Sequence, residues 1–164
     1  MIFWDVNLWV YAFRGDSPYH TRAREVLKNG LDGKELFLFS PIIASSFLHI
    51  VTNSKIFKEP SSQSEAWVFI DTLESHPNAR FLEVDQMTYG IFKHLSLVKA
   101  VEGNNVPDAL LAALAIRYDC LFVTADRGFS EYPGLAFELV SFGSIGVRKA
   151  DSSPGVLPLL SRRF

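Results

Sequence analysis

The run Ala109-Leu110-Leu111-Ala112-Ala113-Leu114-Ala115-Ile116 contains no polar side chain, and that limits what the chain can become. A helix that is apolar on every side cannot lie half wet at a surface. It belongs in the core, against a sheet and with other helices around it. A polar turn, Gly103-Asn104-Asn105-Val106-Pro107-Asp108, leads into it. Asn105 suits the N-cap, and Pro107 is tolerated in the first turn, where its missing N–H would have been an orphan donor. Asp108 then stands near the positive end of the helix. Two readings of Asp108 are open: an acid that closes a capping box on Asn105, or one of several acids acting together.

Two other acids bear on that choice. Ile2-Phe3-Trp4 is a short apolar run ending in Asp5, and Cys120-Leu121-Phe122-Val123-Thr124 is another, followed two residues later by Asp126. Both read as buried strands. In a parallel sheet, groups just past the carboxyl ends of the strands gather in one crevice, where open α/β folds carry out their chemistry. Asp5, Asp108 and Asp126 are therefore expected to meet there.

The rest of the chain alternates in the same way. Asn7 to Phe13 reads as a helix whose Leu8, Trp9, Tyr11 and Ala12 cover the sheet. Ser17 and Pro18 fit the N-cap and first position of a second helix through Lys28, with Asn29-Gly30 as its stop. Glu35–Phe39 reads as a buried strand and Ser40-Pro41 as the opening of a helix to Asn53 or Ser54. Ser62 and Glu65 make a capping box for a helix through Leu73. A strand over Arg80–Val84 follows, then a helix capped by Asp85 and running to about Val101, and finally a last strand over Phe137–Phe142 after the turn at 125–129. This alternation predicts an α/β fold with three α/β/α layers around a mostly parallel central sheet and right-handed crossovers.

At 164 residues the chain has room for one domain, placed at 1–142. From Gly143 onward Gly, Ser and Pro accumulate, and 143–164 reads as an irregular tail. A formal charge of −2 offers no broad basic surface, so any nucleic-acid contact is expected to be local. Arg14, Lys55, Lys58, Lys93, Arg127 and His49 are the candidates for such contacts. The single cysteine, Cys120, reads as a small core residue in a reducing compartment. No residue from Leu36 to Ser54 carries a formal charge, but Ser40-Pro41 together with Ser45, Ser46, His49, Thr52 and Asn53 exclude a membrane span. No leader is visible either, and the expected location is cytoplasmic.

Carboxylates forced together repel unless they share protons or bind a cation, and oxygen ligands without His or Cys favour Mg²⁺ or Mn²⁺. Such an ion offsets the charge that builds on the attacking and leaving oxygens of a phosphodiester, which makes phosphodiester hydrolysis the natural use of the site.

Three motifs in order, Asp5-Val6-Asn7 with Tyr11, Gly103-Asn104 followed by Asp108-Ala109, and Val123-Thr124-Ala125-Asp126 with Phe129, resemble those of PIN domains, in particular VapC-type toxins of toxin–antitoxin pairs. The resemblance spans about residues 1–142. It implies a Mg²⁺- or Mn²⁺-dependent endoribonuclease that leaves a 5′-phosphate and a 3′-hydroxyl. It also implies a homodimer, held inactive by a cognate VapB-type antitoxin. By position, Asp5, Asp108 and Asp126 correspond to metal-holding catalytic acids, Asn7 and Asn104 to polar neighbours, and Thr124 to a group that orients a carboxylate or bound water. Simpler roles stay open: Asn7 as a cap of the first helix, Thr124 as the end of a strand.

One position departs from the family. The helix after the second strand usually carries a further acid, and Ser46 stands there; as a metal-water contact or as a small packing residue, it argues against a permanent two-metal site. A catalytically weakened PIN-like module that binds RNA or protein is the alternative this departure raises. A haloacid-dehalogenase-like phosphatase fits badly, because that family needs a second Asp where this chain has Asn7.

Overall fold

The structure is a computed structural model, which describes residues 1–103 and 105–142. The expectations for Asn104 and for a tail over 143–164 lie outside the described residues. In chain order the elements are β1 (Ile2–Trp4), α1 (Val6–Phe13), α2 (His20–Asp32), β2 (Phe37–Phe39), α3 (Pro41–Val51), α4 (Gln63–Glu74), β3 (Ala79–Phe81), α5 (Gln86–Val98), α6 (Asn105–Arg117), β4 (Leu121–Thr124), a 3₁₀ turn (Arg127–Glu131) and β5 (Phe137–Leu139).

The five-stranded sheet has the order β3-β2-β1-β4-β5, and every pairing in it is parallel. The chain moves outward from β1 to β2 to β3, then jumps back to place β4 on the other side of β1. Right-handed crossovers put α1 to α4 on one face and α5 and α6 on the other. The direction of winding reverses between β1 and β4, which opens a crevice past their carboxyl ends. A helix that feeds a parallel strand runs antiparallel to it, so α6, which feeds β4, begins at that crevice.

On the α1–α4 face, Trp4 packs on Phe37 at 4.4 Å between ring centroids, and Trp9 is ringed by Phe37, Phe47 and Phe69. The other face carries Phe3 against Phe122 and Phe122 against Phe129. In α6, Ala109 and Leu111 to Ala115 are all buried, as a helix without a polar face requires. Cys120 is buried as well, and burial pushes its thiol up to about 11, in keeping with a packing role. No helix among the described residues is long and apolar enough to cross a membrane.

The Ser62–Glu65 capping box and the Asp85 cap form as the sequence predicts. Asp85 also takes the Arg117 guanidinium at 2.9 and 2.8 Å, tying the start of α5 to the end of α6.

Three local expectations are corrected. The second helix begins at His20, not Pro18, because Ser17 closes a turn there: its carbonyl accepts from His20 N–H at 3.0 Å and its hydroxyl from Tyr19 N–H at 3.2 Å. It also continues through Asn29-Gly30 to Asp32. Gly30 is no stop signal, since a β-carbon there would collide with the indole of Trp4, and the glycine lets α2 approach the sheet. The last helix of the core begins at Asn105 itself, so Asn105 is its first residue and not its cap.

Candidate active site

Asp5 follows the last residue of β1. Its N–H bonds to Val123 O at 2.9 Å and its carbonyl accepts from Leu8 N–H at 3.1 Å, so its backbone ends a strand and starts α1 at once. Its side chain makes no N-cap bond deeper into that helix than the Val6 N–H. Instead, Asp5 Oδ2 accepts from the Thr124 hydroxyl at 2.5 Å and from Asn7 Nδ2 at 2.6 Å. Asn7 therefore does not cap the first helix with its side chain. It bridges two strands, standing 3.4 Å from Thr124 Oγ1 and accepting from Ala125 N–H at 3.4 Å.

Thr124, fully buried, does more than end a strand. Its oxygen accepts from Asp126 N–H at 2.9 Å while its proton goes to Asp5. Asp126 is then held by Gly128 N–H, which donates to its Oδ1 at 2.7 Å. One hydroxyl thus fixes the side chain of one acid and the backbone of another.

Asp108 enters from the opposite layer, in the first turn of α6, half-buried. Among the described residues no hydrogen bond closes a capping box between it and Asn105. What ties it to the other acids is charge. Burial pushes the Asp5 carboxyl up to about 7, and the nearby Asp108 and Asp126 charges push the same way against hydrogen bonds from Thr124 and Val6 N–H. Burial and then the Asp126 charge push Asp108 up to about 6. None of the three acids forms a salt bridge among the described residues. The acids are thus within electrostatic reach of one another, yet among the described residues no group of three or more His, Cys, Asp or Glu side chains is arranged to hold a metal ion.

Two tyrosines wall this group. Tyr11 packs on Tyr19 and Phe142, and its phenol is pushed up to about 12, first by burial and then by Tyr19, Asp5 and Asp126. Tyr132 donates to Asn105 O at 3.3 Å, and burial followed by the Asp108, Glu131 and Asp126 charges raises its phenol above the ordinary value. Sequence reasoning missed Tyr132, for which no local pattern offers a signal. Its role comes from the 3₁₀ turn folding back over the start of α6.

The remaining candidates scatter. Ser46 is half-buried in α3 with no hydrogen bond to any of the three acids among the described residues. His49, Lys55, Lys58, Lys93 and Arg127 are exposed. Arg14 is not a free cation: it forks onto Asp16 at 2.8 and 2.5 Å, donates to Glu59 O and Ser61 Oγ, and lies over the Phe57 ring. That engagement removes it from the candidate RNA contacts, since its donors already pin the loop before α4 to the end of α1.

The chain is similar in sequence and in fold to proteins of one kind. The VapC ribonuclease Mb2897 of Mycobacterium bovis is 33% identical over 128 residues, 78% of this chain and 87% of that protein. Ribonuclease VapC31 of Mycobacterium tuberculosis is 30% identical over 132 residues, 80% of this chain and 93% of that protein. The fold is shared with VapBC2 from Rickettsia felis, solved bound to a DNA fragment from their promoter, at a TM-score of 0.59 and 19% identity over 85% of this chain and 98% of that one. It is shared also with Mycobacterium tuberculosis VapC20, a sarcin-ricin loop cleaving toxin, at a TM-score of 0.58 and 14% identity over 79% and 93%. Residues 2–135 match the PIN domain. That match runs from the first residue of β1 to the connection before β5 and takes in all three acids, and on that extent the chain belongs to the PIN-domain family.

Proposed function

We propose that this chain is a divalent-metal-dependent endoribonuclease and the toxin of a VapBC-type pair, working in the cytoplasm as a homodimer over residues 1–142 and silenced by a VapB-type antitoxin. The observation that carries this reading is the mutual charge of Asp5, Asp108 and Asp126 with no cationic side chain among the described residues paired to them. Oxygen donors that raise one another's proton affinity are suited to a hard divalent ion, Mg²⁺ or Mn²⁺, and the three acids are the residues that would hold it, directly or through water. The relatives named as VapC ribonucleases point to the same chemistry.

When bound, the ion supplies a more acidic water and offsets charge on the phosphate oxygens. The chain's own groups do the rest. Thr124 and Asn7 fix Asp5 through Oδ2, and Thr124 also sets the backbone of Asp126. Asp126 or Asp108 takes the proton of the attacking water, and the exposed Arg127 beside Asp126 meets a phosphate of the RNA strand. Asn104 corresponds, by its position in the sequence motif alone, to a polar neighbour of the second acid. Ser46, where the family usually has an acid, favours one resident ion over two.

Purified, antitoxin-free protein incubated with RNA in Mg²⁺, Mn²⁺ or EDTA tests this. Cleavage that needs the ion and disappears in Asp5→Asn is the expected result. No ion-dependent cleavage would favour the second reading, a PIN-like module that binds RNA or protein without cutting, to which Ser46 is the pointer.

A further inference from the structure

Ser40 ends β2 as Asp5 ends β1. The register pairs Phe3 with Leu38, and the chain stays extended beyond both strands, at φ −64° and ψ 152° for Asp5 and φ −143° and ψ 160° for Ser40. Strand side chains alternate between faces, so two residues past the Phe3–Leu38 pair Ser40 stands beside Asp5 on the same face. The β4 register, Trp4 with Val123, puts Thr124 in the matching place on the other side. Asp5 is flanked by two hydroxyls from its two neighbouring strands.

Their hydrogen bonding differs. Thr124 is engaged with Asp5, whereas the Ser40 hydroxyl is fully buried and has no partner among the described residues. Ser40 occupies the N-cap of α3, where a serine oxygen ordinarily accepts from the first-turn N–H groups, yet it makes no such bond. A buried hydroxyl without a partner is a cost that alanine would avoid. Meanwhile both side-chain donors to Asp5 converge on Oδ2, leaving Oδ1 with no side-chain donor among the described residues.

We infer that Ser40 is a positioning residue for Asp5: its hydroxyl donates to Asp5 Oδ1 in the cation-loaded protein, so that the carboxylate is gripped from β2 as well as from β4. This rests on the reading of the three acids as a divalent-cation site. A change of side-chain rotamer at Ser40 or Asp5 is what brings the hydroxyl to that oxygen. Its effect is to fix which way the free oxygen of Asp5 points.

The test is a calorimetric titration of Mn²⁺ into RNA-free full-length protein, with melting curves in EDTA alongside. Wild type is expected to bind and Asp5→Asn to lose binding. Ser40→Ala is expected to bind about tenfold more weakly while melting in EDTA at or above the wild-type temperature, and Ser40→Thr to recover most of the affinity. Wild-type affinity in Ser40→Ala overturns the role of Ser40 and leaves the cation site standing. So does a Ser40→Ala protein that melts well below wild type in EDTA, or a stably folded Ser40→Thr that recovers nothing. No Mn²⁺ binding by wild type, or undiminished binding by Asp5→Asn, overturns the cation site and the role of Ser40 together.

Discussion

Thr124 and Asp5 stand on adjacent central strands, and the threonine hydroxyl gives its proton to the aspartate at 2.5 Å while accepting the N–H of Asp126. The hydroxyl has both a donor and an acceptor task in a fully buried place. Thr124→Val keeps the shape and removes both. Loss of a buried partner of this kind costs roughly 1–3 kcal/mol, and cleavage is expected to fall about 10–100-fold because Asp5 loses its orientation. Thr124→Ser should restore most of both. Urea unfolding and a cleavage assay on the pair measure this.

The raised carboxyls make stability depend on pH in a stated direction. In the unfolded chain Asp5 and Asp108 titrate near 3.8; folded and without metal they titrate near 7 and 6. The folded state therefore holds more protons over that interval, and the metal-free protein loses stability as pH rises from about 4 to about 7. Asp5→Asn and Asp108→Asn are each expected to raise the melting temperature at pH 7.5 in EDTA and to change it much less at pH 4. Equal shifts at both pH values would contradict the burial and repulsion described above.

The same ionisation governs the response to metal. A cation competes with protons for these oxygens, so Mn²⁺ should stabilise the protein strongly at pH 8 and little at pH 5. Chelation with EDTA at pH 8 should reverse the gain. Melting curves across the pH range check this without any RNA present.

Much of this site is legible in the sequence, for a physical reason. Apolar runs ending in acids mark strand ends in a parallel sheet, and the wholly apolar 109–116 segment announces a buried helix, so Asp5, Asp108 and Asp126 are found by local pattern. What escapes local pattern is whatever depends on the partner across the core. Asn29-Gly30 reads as a helix stop, but the indole of Trp4 on another element decides that Gly30 stays helical. Arg14 reads as a free cation, and Asp16, Ser61 and Phe57 claim it. Tyr132 has no sequence signature, and Ser40 reads there only as the opening of a helix, because their places beside the acids follow from a returning turn and from strand register.

Gly30 gives a direct test of packing. Gly30→Ala drives a methyl into Trp4, and overpacking of this kind costs roughly 1–3 kcal/mol against any gain in helix propensity. Gly15→Ala, where a β-carbon would meet nothing within 4 Å, serves as the control and should be near neutral. Chemical denaturation of the two variants distinguishes a close-approach glycine from a turn glycine.

Arg14→Met should lower stability by about 1–2 kcal/mol, because the Glu59 carbonyl and the Ser61 hydroxyl lose their donor. RNA cleavage below the melting temperature should be unchanged. Arg127→Met is expected to do the reverse, weakening RNA binding with little effect on melting. Measuring affinity and melting for both variants separates a structural cation from a substrate-facing one.

The order β3-β2-β1-β4-β5 sets β1 in the middle, between β2, which follows it soon in the chain, and β4, which follows it late. During synthesis Asp5 precedes Thr124 and the other two acids, and has none of them to meet until more than a hundred further residues have followed. A nascent or prematurely ended chain carries a lone carboxylate and nothing for it to work with. The three acids can be brought together only once α6 and β4 have been made and β4 can pair with β1.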